Sequence, residues 1–333
     1  KSFLISFGSN IPLIILVILA QAFSMPQNLF TLFTTKHDLH QTPMHAGIMQ
    51  AIHWHVYGKP GNQIFVRRLG PVAFAKAQHF DSLDPEFLHF VQKKERVFLF
   101  QLEPAITVKY GIKKLTYLPE DHAVWDATLA RCGIKKLCTP LAHSKTMLID
   151  LRLSESQLLS RMKQKMRYNI GLTQRKGLLK LSRIPFDQCT PAVLHEFFDL
   201  QKKWRRSRSN ALSFPEDFLQ HFVKNFAGHG HVYTAHLGNT LTAVLYVPVW
   251  EKVATYYCAC SLPEGFSAHA PTALTWYAIL QSKVEGCQIF DFGGVYDERY
   301  PKTYKGWKGF TVFKEGFSPS PAVFPAPKAL SFF

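Results

Sequence analysis

Acidic residues are scarce in this chain: 23 Asp and Glu stand against 39 Lys and Arg over 333 residues, leaving a formal charge of +16. That balance favours anionic partners such as nucleic acid, phosphorylated substrates or an acidic membrane surface, and it says nothing about fold. Cysteine spacing of the metal or redox kind is also missing. The six cysteines stand at 132, 138, 189, 258, 260 and 287, and no two form a C-x-x-C pair. Cys258 and Cys260 would share one face of a strand and read as buried thiols. Histidine is plentiful at 15, but neither His53 and His55 nor His229 and His231 has a companion at structural-metal spacing. Satisfied or solvated histidines, and no metal, are therefore expected. The chain has no G-x-S-x-G elbow and no convincing Ser-His-Asp order. It has no zinc-finger spacing or RRM-type aromatic motif either, so its charge does not imply sequence-specific reading of nucleic acid.

Long apolar runs are nearly missing as well. Residues 2 to 35 carry no formal charge, yet the run Ile11 to Ala20 falls short of the about 20 apolar residues of a membrane-crossing helix. Lys1, this run and Ala20-Gln21-Ala22 mimic a secretory signal peptide. Met25 opens MPQNLFTLF, so residues 1–24 read first as an upstream extension or the end of a fragment, then as a signal or anchor, and last as a structural helix.

What is present is globular. Hydrophobic residues make up 47% and aromatics 14%, and the length suffices for two ordinary domains. A helix is expected near Met44 to His55 and a short strand over Ile64 to Val66. Asp84-Pro85-Glu86 starts a helix in the favoured way, with Asp as cap and Pro at the first helical position. VFLFQLEP from Val97 reads as a buried strand, Pro119 to Arg131 as a helix, and Thr146 to Leu151 as a strand. This alternation predicts an α/β unit on a central sheet over 25–150.

A second unit is expected over 151–317. Ser154 and Gln157 have capping-box spacing, and an apolar stripe from Leu158 to Thr173 predicts one helix closed by Gly177. Asn169 falls inside that stripe, as a structural or ligand-orienting amide, unless a slight rotation of the helix leaves it at the solvent boundary. Strand-like LLKLSRI, helices over Pro191 to Trp204 and Pro215 to Phe226, and three strand-length runs after Gly230 follow, with a hairpin turn at Gly238-Asn239. Pro271 to Lys283 is a further helix. Phe290 ends a strand that breaks at Gly293-Gly294. A second strand over about Phe310 to Phe313 would then carry Lys314 on its end, near that turn. Such a hairpin is either plain structure or a ligand-cleft wall with Lys314 as a fixed cation. The proline-rich tail, 318–333, is expected to be extended, draped on the body or disordered. Between Leu151 and Asn210 stand 14 Lys or Arg against four acids, a surface suited to a phosphate-rich partner, with Lys163, Lys165, Arg205 and Arg206 as candidate contacts.

Two blocks now stand in order: LLSRMKQKMRYNIGLTQRKG (158–177) and the stretch from ALTWYAILQSKVEGCQIFDFGGV through KGFTVFKEGF (273–317). Together they resemble the FemABX family, the aminoacyl-tRNA-dependent transferases that build peptidoglycan interpeptide bridges, in its compact form without a helical arm. Arg167, Tyr168 and Asn169 match that family's RYN signature. Phe313 and Lys314 match its terminal Phe-Lys, and Gly293 and Gly294 its turn after the last core strand. LGPV at 69–72 is similar to the family's Arg-Gly-Pro-Val, with Leu69 in place of Arg. The Pro-Asn pair usual before the 273–276 segment is missing, and the first domain looks shortened between Trp54 and Leu69.

The resemblance implies an α/β fold of two tandem GNAT-like acyltransferase domains, each a mostly antiparallel mixed sheet flanked by helices, with the tail returning to the first. It implies transfer of an amino acid from aminoacyl-tRNA to the side-chain amine of a lipid- or nucleotide-linked peptidoglycan precursor. The protein would be cytoplasmic, at the inner membrane face, as a monomer and with no cofactor. Lys314 would be catalytic, as a permanently cationic electrophile. Arg167, Tyr168, Asn169 and Phe313 would bind substrate, with Gly293 and Gly294 as cleft backbone. Asp291 and Asp297 could accept a proton or serve the turn. The alternatives are a GNAT-like N-acyltransferase using another activated donor, or a non-catalytic anion- or wall-binding protein.

Overall fold

The protein was analysed as a computed structural model, which describes residues 32–33, 38–82, 84–106, 108–110, 115–117, 120–131, 133–134, 136–206 and 215–331. The expectations for residues 1–24, Pro119, Cys132 and Arg208 lie outside these. Two mixed, mostly antiparallel sheets flanked by helices form the body. A separate short sheet is formed by β1 (Leu32–Phe33), β6 (Val108–Tyr110) and β7 (Leu115–Tyr117).

The first large sheet begins with β2 (His55–Tyr57), β3 (Ile64–Leu69) and β4 (Val72–Phe80), paired antiparallel in turn. Helix Pro85–Glu95 follows, its first turn capped by the Asp84 carboxylate, which accepts from Glu86 and Phe87 N–H. The chain returns as β5 (Val97–Pro104), parallel to β4. Helix Glu120–Arg131 and β8 (Lys136–Leu137) complete this half. The chain then crosses as β9 (Lys145–Asp150) into the second sheet.

There the same order recurs. Antiparallel β10 (Leu179–Pro185), β11 (Gly230–Leu237) and β12 (Thr240–Trp250) lead to β13 (Val253–Thr255) and β14 (Cys258–Ser261), which both pair with β12. Helix Ala270–Val284 follows, and β15 (Ile289–Asp291) returns parallel to β13. Gly238, at φ +59°, makes the expected hairpin turn between β11 and β12. The tail is extended and ordered on the body. Its β16 (Ser320–Val323) pairs with β9, and its β17 (Lys328–Ser331) fits between β5 and β8 of the first sheet.

The second sheet is packed on both faces. Tyr233, Ala243 and Leu245 join Met166, Ile170 and Leu274 in one core, while Val232, Val244 and Tyr246 join Phe197, Phe222 and Phe226 in another. Alternation along a strand produces this division. Helices Gln164–Lys176 and Ala270–Val284 therefore cover one face, and Pro191–Arg206 and Glu216–Asn225 the other. Cys260 is buried in the second core as expected, and Cys258 is half-buried against it.

Two expectations need correction. The helix read from Leu158 to Thr173 is two helices, Glu155–Arg161 and Gln164–Lys176. The break frees the Lys163 N–H to donate to Gly316 O at 3.0 Å, while Met162 stays buried. The strand expected over Phe310 to Phe313 is instead part of helix Lys308–Glu315. Trp307, Phe310 or Thr311, and Lys314 recur at three- or four-residue spacing, and the Trp307 and Phe310 rings lie 5.5 Å apart.

Candidate active site

The second sheet carries a fork. β13 and β15 run parallel through Val253↔Ile289, Ala254↔Phe290 and Thr255↔Asp291, and the two strands then separate. Beyond the last pair, Tyr256 N–H still donates to Asp291 O at 2.7 Å. β14 then turns to β12 alone, while the other arm becomes Phe292, Gly293 and Gly294.

Lys314 sits in this fork, 5% exposed. Its ammonium donates to Phe292 O at 2.7 Å and to Gly294 O at 2.8 Å, with the Phe310 and Tyr256 rings 4.8 and 5.1 Å away. Burial pushes its pKa down to about 7, and the Asp291 carboxylate offsets only part of this. The expectation of a permanent cation is therefore corrected: at neutral pH Lys314 is poised between two forms. Two of the three ammonium hydrogens are engaged, which leaves one N–H in the charged form. Glu315 pairs instead with Lys163 at 3.2 Å.

The glycines are required by packing. Gly293 has φ +62°. A Cβ on Gly294 would lie 2.3 Å from the Trp307 ring and 2.8 Å from His143 Cβ. Both candidate acids serve turns. Asp291 accepts from Gly293 N–H at 2.7 Å and from the Thr146 hydroxyl; burial raises its pKa, and these bonds oppose the rise. Burial also works to raise the Asp297 carboxyl, but bonds from Arg299 and the Ser144 hydroxyl outweigh it and hold the group below its ordinary value.

The two sequence blocks meet at this point. Lys163 N–H bonds Gly316 O, and the built Cβ of Gly316 would fall 2.4 Å from Met166. Arg167 is exposed, and its guanidinium donates to Ser160 O at 3.3 Å and to Met162 O, closing the end of the Glu155–Arg161 helix. Tyr168 is 60% exposed, and Asn169 is half-buried, at the edge of the stripe and not inside it. Phe313 is half-buried against Phe317. Lys163, Lys165, Arg205 and Arg206 are all exposed. The structure does not bring these four together, because their helices lie on opposite faces of the sheet.

A cavity of about 410 Å³ opens where β14 leads, through the short helix Pro263–Ser267, into helix Ala270–Val284. Leu172, Thr173, Lys176, Leu237, Glu264 and His269 help to line it. His269 is the N-cap of the long helix, so the positive end of that helix's dipole borders the cavity. Sequence reasoning missed Tyr256 and Thr146 at the fork. Neither sits in a distinctive motif, and only the strand pairing makes them neighbours of Lys314 and Asp291.

Residues 160–306 match the family of acetyltransferase (GNAT) domains. No curated protein matches the sequence significantly. Among solved structures, FemX aligns over 89% of this chain and 92% of its own, with a TM-score of 0.69 at 12% identity. The C-terminal DUF2156 domain of a protein described as a lysylphosphatidylglycerol synthetase, from Agrobacterium fabrum, aligns over 89% of each chain with a TM-score of 0.58 at 16% identity. L-PGS from Bacillus licheniformis aligns over 90% of this chain and 93% of its own, with a TM-score of 0.53 at 15% identity. At such identities the likeness establishes fold alone: the fold is like that of FemX, and the GNAT domain match falls on its second half. The domain match on that fold supports an acyltransferase. Among the described residues, no helix is long and apolar enough to cross a membrane.

Proposed function

We propose that the protein transfers an amino acid from aminoacyl-tRNA to the side-chain amine of a peptidoglycan precursor peptide, lipid- or nucleotide-linked, at the inner face of the cell membrane. The observation that carries this reading is Lys314 at the fork of the parallel strands, in a fold shared with FemX. The precursor amine attacks the ester carbonyl, a C–N bond forms, and the carbonyl oxygen gains negative charge. The remaining N–H of protonated Lys314 donates to that oxygen. Collapse then breaks the ester C–O bond and releases the ribose hydroxyl, which takes up a proton, while the attacking nitrogen loses one to water or substrate phosphate. The ester supplies its own leaving group, so orientation and charge stabilisation are what the protein must add, and no cofactor is required. The 3′ end of the tRNA would lie along the cavity beside His269 and Lys176. Arg167 and the exposed Tyr168 would face the acceptor.

Acyl-CoA is the competing donor, since the domain match is to acetyltransferases. A diphosphate-binding loop rich in glycine and arginine would be needed between strand and helix. That segment here is the helix Pro263–Ser267 followed by His269, with no arginine. A single-turnover assay offering charged tRNA and acyl-CoA in parallel, with lipid- and nucleotide-linked acceptors, tests the reading. Transfer from tRNA is expected; transfer from acyl-CoA alone, or from neither, overturns it.

A further inference from the structure

Between the two sheets lies a cluster of imidazoles that the acyl-transfer reading does not use. Asp38 is buried. Its Oδ2 accepts from His79 Nδ1 at 2.6 Å, and its Oδ1 receives His40 Nδ1 at 3.0 Å. The ligating atoms of Asp38, His40 and His79 all lie within 4.8 Å of one another. Two further rings surround them. His45 lies 5.2 Å from His40, and His143 lies 4.9 Å from His79, measured between ring centroids. Both ring nitrogens of His45 and Nε2 of His143 are buried without a hydrogen-bond partner. Orphaned buried nitrogens cost free energy unless something absent from the polypeptide satisfies them.

We propose that Asp38, His40 and His79 form a binding site for a divalent transition metal of the zinc type, with His143 as the adjacent fourth donor. Imidazole nitrogen with a carboxylate is the ligand chemistry such ions select. His79 makes the outer bond of a metal-bound histidine, with Nε2 3.1 Å from the carbonyl of His143, while Nδ1 faces the cluster and an ion would take the place of the proton it shares with Asp38. The backbone is bent to present it. His79 has φ +50°, at a register break between Gln78 and Phe80 where β4 meets β5. A bulge of this kind re-aims a side chain. The proposed ligands come from the segment before helix Pro43–Ala51, the end of β4 and the segment before β9, and Phe324 of the tail stacks on His79 at 3.8 Å. The ion would thus staple the two halves and the tail at one point, a structural role independent of the donor at the fork.

The test uses the tag-free full chain, stripped with a chelator and titrated with Zn²⁺ or Co²⁺ alone. One equivalent is expected to bind, raising the Tm, with a Co²⁺ visible band of tetrahedral strength and perturbed ¹⁵N signals from the His40 and His79 rings. His40→Ala, which leaves the Asp38–His79 bond in place, should weaken binding at least about tenfold. Should that variant fail to fold, the wild-type Co²⁺ spectrum and ¹⁵N signals decide alone. Absence of a stoichiometric equivalent, undisturbed His40 and His79 signals, or wild-type affinity in folded His40→Ala overturns the site.

Discussion

Each half of the molecule contains one pair of parallel strands joined by a helix, and the two pairs differ in how far they stay together. In the first half β4 and β5 stay paired from Ala73↔Val97 to Phe80↔Pro104, essentially the whole length of both strands, with a register shift near each end. In the second half β13 and β15 share only three register pairs before they part. Each half also sets a lysine beside its pair. Lys76 lies in the zipped one, half-buried over the Trp54 ring at 4.9 Å, and burial brings its pKa down to about 8 against the opposing pull of Glu103. Lys314 lies at the open one, held by two carbonyls. A closed pair satisfies its own backbone and serves as scaffold. A pair that parts early leaves carbonyl oxygens free to orient a cation, as Phe292 O and Gly294 O do for Lys314.

Replacing the two lysines is the strongest way to break this comparison. Lys314→Met should lower the single-turnover transfer rate by about 10²–10³ with little change in KM, the loss expected for one donor to a developing oxyanion. Lys76→Met should leave the rate within about threefold, because nothing in a zipped pair reaches the substrate. Equal losses would show that both lysines act through the fold.

Glycine substitution probes packing at the fork and at a turn of the first half. Gly294→Ala puts a methyl 2.3 Å from the Trp307 ring and should cost about 3 kcal/mol of unfolding free energy, as overpacking does. Gly70, in the β3–β4 turn, has φ +68° and open space around its built Cβ. Gly70→Ala should cost only about 1 kcal/mol, the strain of the left-handed backbone. Urea titrations measure both.

Arg167→Ala should raise the acceptor KM about tenfold, the worth of one charge-assisted hydrogen bond. It should also cost about 1 kcal/mol of stability, because Ser160 O and Met162 O lose a donor. A stability loss with unchanged KM would reduce Arg167 to a helix cap.

The pH dependence separates the lysines more finely. A buried lysine whose folded pKa lies below its unfolded value of about 10.4 leaves the native state with fewer bound protons between those two pKa values, so stability rises with pH across that window. For Lys314 the window opens near 7, and for Lys76 near 8. Lys314→Met should therefore flatten the stability profile between about 7 and 8, where Lys76→Met changes little. Transfer that needs the charged form should decline as pH rises through the same interval.

The smallest expected effect concerns the basic helices. The cavity borders helix Gln164–Lys176, so if it takes the tRNA end as proposed, neutralising Lys163 and Lys165 should reduce the salt dependence of tRNA binding. The slope should fall by roughly 0.7–0.9 for each phosphate that no longer meets a cation. Neutralising Arg205 and Arg206, across the sheet, should change it less. Equal changes would mean that the RNA wraps the β10 edge.

Much of the second half was legible because its signals are contiguous. The Ser154–Gln157 capping box forms as its spacing implies, and Gly238 and Gly177 sit in the left-handed turns that the sequence pattern asked of them. GWKGFTVFKEGF misled because alternating aromatics over so short a window fit period 2 and period 3.6 alike, and packing of Trp307 on Phe310 chose the helix. The basic run looked like one surface because its helices are consecutive, but sheet pairing places them back to back. Neither the fork nor the histidine cluster has a local signature. Residues 38, 79 and 143 come together only through the tertiary fold, and the fork is a property of strand register.

The claim that the fork receives the acyl group is tested most directly by a crystal structure of the protein bound to a stable amide analogue of 3′-aminoacyl-adenosine. The aminoacyl carbonyl should lie between β14 and β15, with its oxygen about 3 Å from Lys314 Nζ and the adenosine toward His269 and Lys176. An aminoacyl group bound elsewhere, with Lys314 still bonded only to Phe292 O and Gly294 O, would contradict the account.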